Sequence, residues 1–241
     1  MKTLLTFCTA LALTSLAHAD DLTTKTWKVG GVERSALVYL PKKTEGAPII
    51  FAFHGHGGTS RYSARKMHLE TLWPEAIVVY PQGLPTMTGR DPQGAKPGWM
   101  MSAGRFMANR DLDFFDAMLT TAKTDWKVDE KRVYATGHSN GAGFVYALWG
   151  ARPNTFAALA PASGGGFRLL RNATPCPALI IGAKNDPIVN WETAQLPAIE
   201  AAKKLNGSKA PVEVIEHNQQ HAYPEMAPEK TVAFFKKYTR K

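Results

Sequence analysis

Val133-Tyr134-Ala135-Thr136-Gly137-His138-Ser139-Asn140-Gly141-Ala142-Gly143 runs from a short apolar segment through Gly-x-Ser-x-Gly into a stretch of helical character. Strand, sharp turn, then helix is the order in which a nucleophilic serine is mounted at the top of a sheet. The two glycines have a steric purpose. A turn that tight at Ser139 brings the residues two before and two after it against neighbouring backbone, where a Cβ would collide. The serine is expected to be strained, with its hydroxyl above the sheet at a helix N-terminus that favours developing negative charge.

Outward from this block, apolar runs alternate with helix-like segments. Residues 26–40 suit an opening β-hairpin. Residues 48–53 and 76–80 are continuous apolar runs, the pattern of strands covered on both faces. Between them, 60–73 can form a crossover helix. Residues 111–126 place Leu112, Phe115, Met118, Leu119 and Ala122 on one helical face. Further strands are expected at 132–136, 156–160, 178–181 and 212–216. Helices are expected at 141–151, at 193–205 (two pieces, given Pro197) and at 228–238. The one long irregular section, 84–107, is rich in Gly and Pro and has the character of a binding loop. The alternation indicates a mostly parallel sheet with helices on both faces. Ligands of such sheets bind beyond the carboxyl ends of the strands. Ser139, the loop at 54–58, Asp186 and His221 each follow a predicted strand, so all four should share one rim.

Composition narrows the class. Lys2, an apolar run over 4–16 and Ala17-His18-Ala19 read as a secretion leader, residues 1–19, too short to span a bilayer permanently. Residues 20–241 are then one domain, expected to be secreted or periplasmic, with no membrane span. The formal charge of +9 is spread along the chain without a basic arm, which argues against nucleic acid as a partner. Removing the leader leaves Cys176 as the one cysteine, between Pro175 and Pro177, a packed thiol with no partner for a disulfide.

A serine hydroxyl needs a base. After the strand at 178–181 comes Gly182-Ala183-Lys184-Asn185-Asp186-Pro187, where the Asp186 carboxylate on a tight turn can orient a histidine. After the last strand, His217 and His221 compete. His221 lies four residues further into the loop, where a side chain can reach Ser139, and we assign it the base. A zinc site of His54, His56, His217 and His221 lacks a Glu or Cys at metal spacing, so neither metal nor cofactor is expected. For the oxyanion, the donors expected are the backbone N–H of Asn140 and that of His56, with Gly57 second. Trp99, Met100, Met101 and above all Trp191 are candidates for the substrate wall, because Trp191 lies five residues past Asp186 and an aromatic plane there can stack on a ring. Trp27, Trp73, Trp126 and Trp149 are assigned to packing. Asn172 and Asn206 sit in glycosylation-acceptor patterns.

These residues together resemble secreted bacterial esterases related to polyhydroxybutyrate depolymerases and feruloyl or acetylxylan esterases. The resemblance rests on Phe53-His54-Gly55-x-Gly57-Gly58, Tyr80-Pro81-Gln82-Gly83, the helix start at 111–115 and Val128-Asp129-x-x-Arg132-Val133-Tyr134 leading into the serine block. Asp186-Pro187-x-Val189 and His221-Ala222-Tyr223-Pro224 complete it. It implies a single α/β-hydrolase domain, a Ser139–His221–Asp186 triad and hydrolysis of carboxylic esters. Asn218-Gln219-Gln220 departs from the family's frequent run of three glycines, and many members carry cysteines that this chain lacks. The interval 160–177 leaves little room for a cap domain, so an open cleft walled by 84–107 is expected. That shape suits an ester on a bulky or polymeric group, cleaved by a monomer. Rival readings are a dienelactone-hydrolase-like or peptidase-type enzyme on the same scaffold, or a non-catalytic carbohydrate-binding relative.

Overall fold

The computed structural model describes residues 22–101 and 109–241. The leader expected at 1–19 and the end of the 84–107 loop lie outside the described residues. Strands β1 (Thr23–Val29) and β2 (Val32–Tyr39) form an antiparallel hairpin closed at Val29 and Val32. The two-residue turn is Gly30-Gly31, with φ of 57° and 83°, the sign that a hairpin turn matching the strand twist requires. Strand β3 (Ile49–Phe53) is followed by helices α1 (Ser60–Met67) and α2 (Leu69–Leu72), then β4 (Ile77–Pro81). The single crossover helix expected at 60–73 is thus two, because His68 adopts left-handed φ/ψ of 34° and 45° and ends the first.

A short ladder of β5 (Leu84–Pro85) with β6 (Pro97–Gly98) gives the 84–107 loop a base. Then follow α3 (Arg110–Thr124), β7 (Val133–His138), α4 (Asn140–Ala151), β8 (Ala158–Ala162), β9 (Ala178–Ala183), α5 (Leu196–Asn206), β10 (Val212–His217) and α6 (Ala227–Phe235). A π-helical turn over Trp191–Gln195 precedes α5, whose first turn holds Pro197. The proline's missing N–H costs nothing there, so the two pieces expected from the sequence meet at that point.

The main sheet has the order β1-β2-β4-β3-β7-β8-β9-β10. β1 to β2 and β2 to β4 are antiparallel and the remaining pairs parallel. Every residue of β3, β4, β8 and β9 is buried, which explains their unbroken apolar runs. Side chains alternate between two layers. Ile49, Phe51 and Phe53 pack with Phe114, Phe115, Phe144 and Ile199 of α3, α4 and α5. Ile50 and Ala52 pack with Met67, Leu69, Phe234 and Phe235 of α1, α2 and α6. Because β3, β7, β9 and β10 run parallel, the residues that follow them emerge at one edge, as the sequence pattern predicts.

One polar feature of the interior has no sequence signature. Arg34 of β2 and Asp111 of α3 are 2 % and 0 % exposed and meet at 2.7 Å, with the guanidinium also 4.2 Å from the Phe114 ring centre. The other Asp111 oxygen accepts the Met100 N–H at 2.9 Å, so the pair ties the 84–101 segment to the sheet. Removing Arg34 leaves the buried Asp111 carboxylate with the Met100 N–H and the more distant Arg110 Nε, at 3.8 Å, as its remaining partners on Oδ2. Arg34→Ala is therefore expected to lower the unfolding free energy by about 3–5 kcal/mol, read by urea denaturation.

Candidate active site

Ser139 has φ 57° and ψ −117°, a strained conformation for a residue with a side chain, and sits between β7 and α4. The surrounding contacts explain both glycines of the motif. A Cβ on Gly141 would lie 2.4 Å from the Phe53 carbonyl oxygen, and one on Gly137 would lie 2.6 Å from Gly141 backbone. The turn closes only because both positions lack a side chain.

His221 Nε2 lies 2.8 Å from Ser139 Oγ, and His221 Nδ1 lies 2.8 Å from Asp186 Oδ2. Asp186 is 5 % exposed and its oxygens are fully engaged. Oδ1 accepts the Ile188 and Val189 N–H groups at 2.8 and 2.9 Å, and Oδ2 also accepts Gln195 Nε2 at 3.0 Å. Burial works against the Asp186 charge, but the bonds from His221 and from those two N–H groups outweigh it and hold the carboxyl below the usual carboxylate range. An ionised Asp186 accepts only, so the imidazole proton resides on Nδ1 and the Nε2 lone pair faces the serine hydroxyl.

Gln195 escaped the sequence reading. Its amide is 1 % exposed, donates to the Val189 carbonyl at 2.6 Å as well as to Asp186, and accepts the Ala183 N–H at 3.2 Å. It thereby locks the Asp186 turn to the end of β9. Ser163 was missed as well. It is fully buried with φ 50°, and its hydroxyl donates to the Ala222 carbonyl at 2.8 Å, bracing the loop that carries His221. Neither residue type nor spacing marks either position in the sequence.

The four histidines of the zinc alternative are separately engaged. His54 Nε2 accepts the Gly83 N–H at 2.9 Å, which puts the proton on Nδ1, donating to the Gly55 carbonyl at 2.7 Å. It joins the 54–58 loop to the Tyr80-Pro81-Gln82-Gly83 segment. His56 contacts Asp91, and His217 accepts the Gln219 N–H through Nδ1 at 3.2 Å, with Nε2 3.5 Å from Ser163 Oγ. His217 thus faces Ser163 while His221 faces Ser139. In the 54–58 loop, the Gly57 N–H is donated to the Pro97 carbonyl at 2.7 Å. Among the described residues no hydrogen bond occupies the His56 N–H. The side chain of Asn140 pairs with both backbone groups of Trp99, at 2.7 and 3.1 Å.

The serine opens into a cleft of about 820 Å³, lined by His56, Asn140, Met101, Phe167, Ile188 and Ala194 among others. Arg90 reaches across one end to the Pro187 and Ile188 carbonyls. Of the wall candidates, Met101 lines the cleft and is 40 % exposed. Trp191 does not. It is 7 % exposed and packs in the core layer with Ile199 and Ala202, while Thr193 and Ala194 of the same turn face the cleft. Proximity to Asp186 along the chain did not fix the direction in which the helical turn points its side chains. Trp99 is also core, 1 % exposed, with its indole N–H bonded to the His54 carbonyl at 2.8 Å. Phe167, absent from the predicted wall, begins the 3-10 segment Phe167–Asn172, which is all that fills the β8–β9 connection where a cap would be inserted.

This architecture is the α/β-hydrolase fold, and among the described residues no cap domain stands over the site. The chain belongs to the dienelactone hydrolase family, whose model matches residues 36–239. It is 28 % identical over 169 residues to a bifunctional acetylxylan esterase/xylanase of Neocallimastix patriciarum, covering 68 % of this chain and 23 % of that one. It is 30 % identical over 118 residues to a probable feruloyl esterase C of Aspergillus niger, covering 48 % and 40 %. The chain thus spans less than half the length of either relative. Among solved structures, it superposes on an S-formylglutathione hydrolase from Agrobacterium tumefaciens with a TM-score of 0.71 at 15 % identity, covering 93 % and 98 %. A ferulic acid esterase gives 0.69 at 14 % identity, covering 90 % and 98 %. At those identities the likeness establishes the fold.

His138, the variable residue before the serine, has its ring 4.9 Å from that of His221. Burial, and then the nearby His221, push its pKa down to about 3. Between pH 6.5 and 3 the unfolded chain takes up a proton that the folded chain refuses, so stability falls as pH drops through that window. This group alone should make the protein about 2 kcal/mol less stable at pH 5 than at pH 7. Urea unfolding of His138→Asn at both pH values should show a smaller difference than the wild type.

Proposed function

We propose that this chain is a serine esterase that cleaves carboxylic esters through an acyl-enzyme, with Ser139 as nucleophile, His221 as base and Asp186 as its orienting carboxylate. The observation that carries the reading is the unbroken relay from Asp186 through His221 to Ser139, at 2.8 Å in both steps. His221 Nε2 accepts the hydroxyl proton as Ser139 Oγ attacks the ester carbonyl carbon. The developing oxyanion is held by the N–H groups of Asn140 and His56. The engagement of the Gly57 N–H elsewhere supports His56 as the donor of its loop. Imidazolium, stabilised by the Asp186 charge, then gives its proton to the departing alkoxide oxygen. Water, deprotonated by the same nitrogen, attacks the acyl-enzyme, and the acid leaves as Ser139 regains its proton.

The substrates we propose are feruloyl- or acetyl-type esters attached to polysaccharide, or polyhydroxyalkanoate esters. The names of the acetylxylan and feruloyl esterase relatives support the first class. A cleft with Met101, Phe167 and Ile188 at its rim, and no cap among the described residues, gives an apolar acyl or phenolic group a wall while leaving room for a bulky alcohol. The sequence of residues 1–19 supports action outside the cytoplasm. No helix of the described residues is long and apolar enough to cross a membrane.

Ser139→Ala should cut turnover of a nitrophenyl ester by about 10⁴–10⁶-fold and abolish labelling by a fluorophosphonate. Near-normal activity in that variant would refute the scheme. His221→Ala should be nearly inactive and His217→Ala largely active, and the reverse result would move the base to His217. Comparison of kcat/KM for methyl ferulate, acetylated xylan and hydroxybutyrate oligomers identifies the acyl group.

A further inference from the structure

His56, at the edge of the cleft, makes a second histidine–aspartate contact that the reaction as written does not use. His56 Nε2 lies 3.0 Å from Asp91 Oδ2, and neither side chain is more than 18 % exposed. Asp91 is the hub of its own loop. Its Oδ2 also accepts the Lys96 N–H at 2.9 Å, its Oδ1 accepts the Ala95 N–H at 3.1 Å, and its backbone forms a bridge with Thr88. One carboxylate therefore gathers two peptide groups of the 84–98 segment and the imidazole of the 54–58 loop. His56 Nδ1 is buried without a partner, so the Asp91 contact is the ring's only polar tie among the described residues.

We propose that Asp91 is a positioning residue for the oxyanion hole, acting through the His56 side chain on the His56 backbone N–H. This inference rests on the esterase reading above. The ring and the N–H share one Cα, so a ring held at Nε2 by a carboxylate restricts the rotation that would turn the peptide away. Carboxylates orient metal-bound imidazoles by the same contact. The tolerance is narrow, since a donor displaced by more than about 0.5 Å loses much of its effect on a developing charge. The neighbouring Gly57 N–H to Pro97 bond, at 2.7 Å, holds the next peptide to the same 84–98 segment. Gly98 supports the ring from the opposite side by its lack of a side chain. A Cβ there would lie 2.7 Å from His56 Nδ1.

The test compares Asp91→Asn, Asp91→Ala and Gly98→Ala with the wild type on a nitrophenyl ester. Asp91→Asn should lower kcat by about tenfold or more with KM within about twofold, because the lost interaction belongs to the transition state. The inhibition constant of a boronic acid, which forms a tetrahedral adduct with the serine, should rise by the factor by which kcat/KM falls. The inhibition constant of a neutral product alcohol, which presents no oxyanion, should stay within about twofold. Gly98→Ala, whose Cβ would lie 2.7 Å from His56 Nδ1 and 3.0 Å from Asn140 Oδ1, presses on both proposed donor residues and should lower kcat at least as much as Asp91→Asn. If Asp91→Ala does not fold, Asp91→Asn carries the test, since its amide oxygen still accepts one of the two loop N–H groups. A kcat within twofold of wild type in Asp91→Asn, or a fall in kcat with unchanged boronic acid affinity, overturns the inference. Ser139→Ala measured alongside separates the two readings. Its inactivity with a normal Asp91→Asn overturns the Asp91 role alone, whereas its retention of activity overturns both.

Discussion

The structure depends on how closely the start of α4 can approach the ends of β3 and β7. Gly141 lies so near the Phe53 carbonyl that a methyl group would sit 2.4 Å from its oxygen. That approach forces Ser139 to φ 57°, at a cost of about 1–3 kcal/mol that the packing of the two apolar layers must sustain. The strain is useful because it fixes the hydroxyl at the rim before any substrate arrives. Every other element of the site is a loop brought to that fixed point.

Those loops are held by polar bonds at named points. Asp186 is secured by two backbone N–H groups and by Gln195, the His221 loop by Ser163, and the 54–58 loop by His54 and the Pro97 carbonyl. The 84–101 segment is fastened to α4 through Asn140 and to the sheet through Asp111. Preorganisation of this kind matters because groups that are already aimed need no rearrangement when charge develops. It also explains how the cleft stays defined with only a short 3-10 segment between β8 and β9.

Charge is arranged asymmetrically around the relay. The Asp186 carboxyl is held ionised by its donors, while His138, beside His221, is kept neutral by burial. A second cation next to His221 would oppose the imidazolium that the proposed reaction requires. The variable residue of the serine motif is therefore not neutral ground. Its ring packs beside that of His221.

Apolar periodicity and glycine spacing alone determined the strand–helix alternation, the parallel sheet and the placement of Ser139, the 54–58 loop, Asp186 and His221 on one rim. These follow from local rules: a strand buried on both faces reads as a continuous apolar run, and a turn without room for Cβ atoms reads as glycine. Only the tertiary structure decided the break at His68, the burial of Trp191 and Trp99, the opening of Phe167 into the cleft, and the contacts of Gln195, Ser163, Arg34 and Asp91. Apart from the left-handed backbone at His68, each turns on which way a side chain points, or on a partner that is 9 to 77 residues away along the chain. The two histidines of the last loop differ for the same reason. Four residues apart in sequence, one faces Ser163 and the other Ser139 because the loop between them turns, and no periodic pattern encodes that turn.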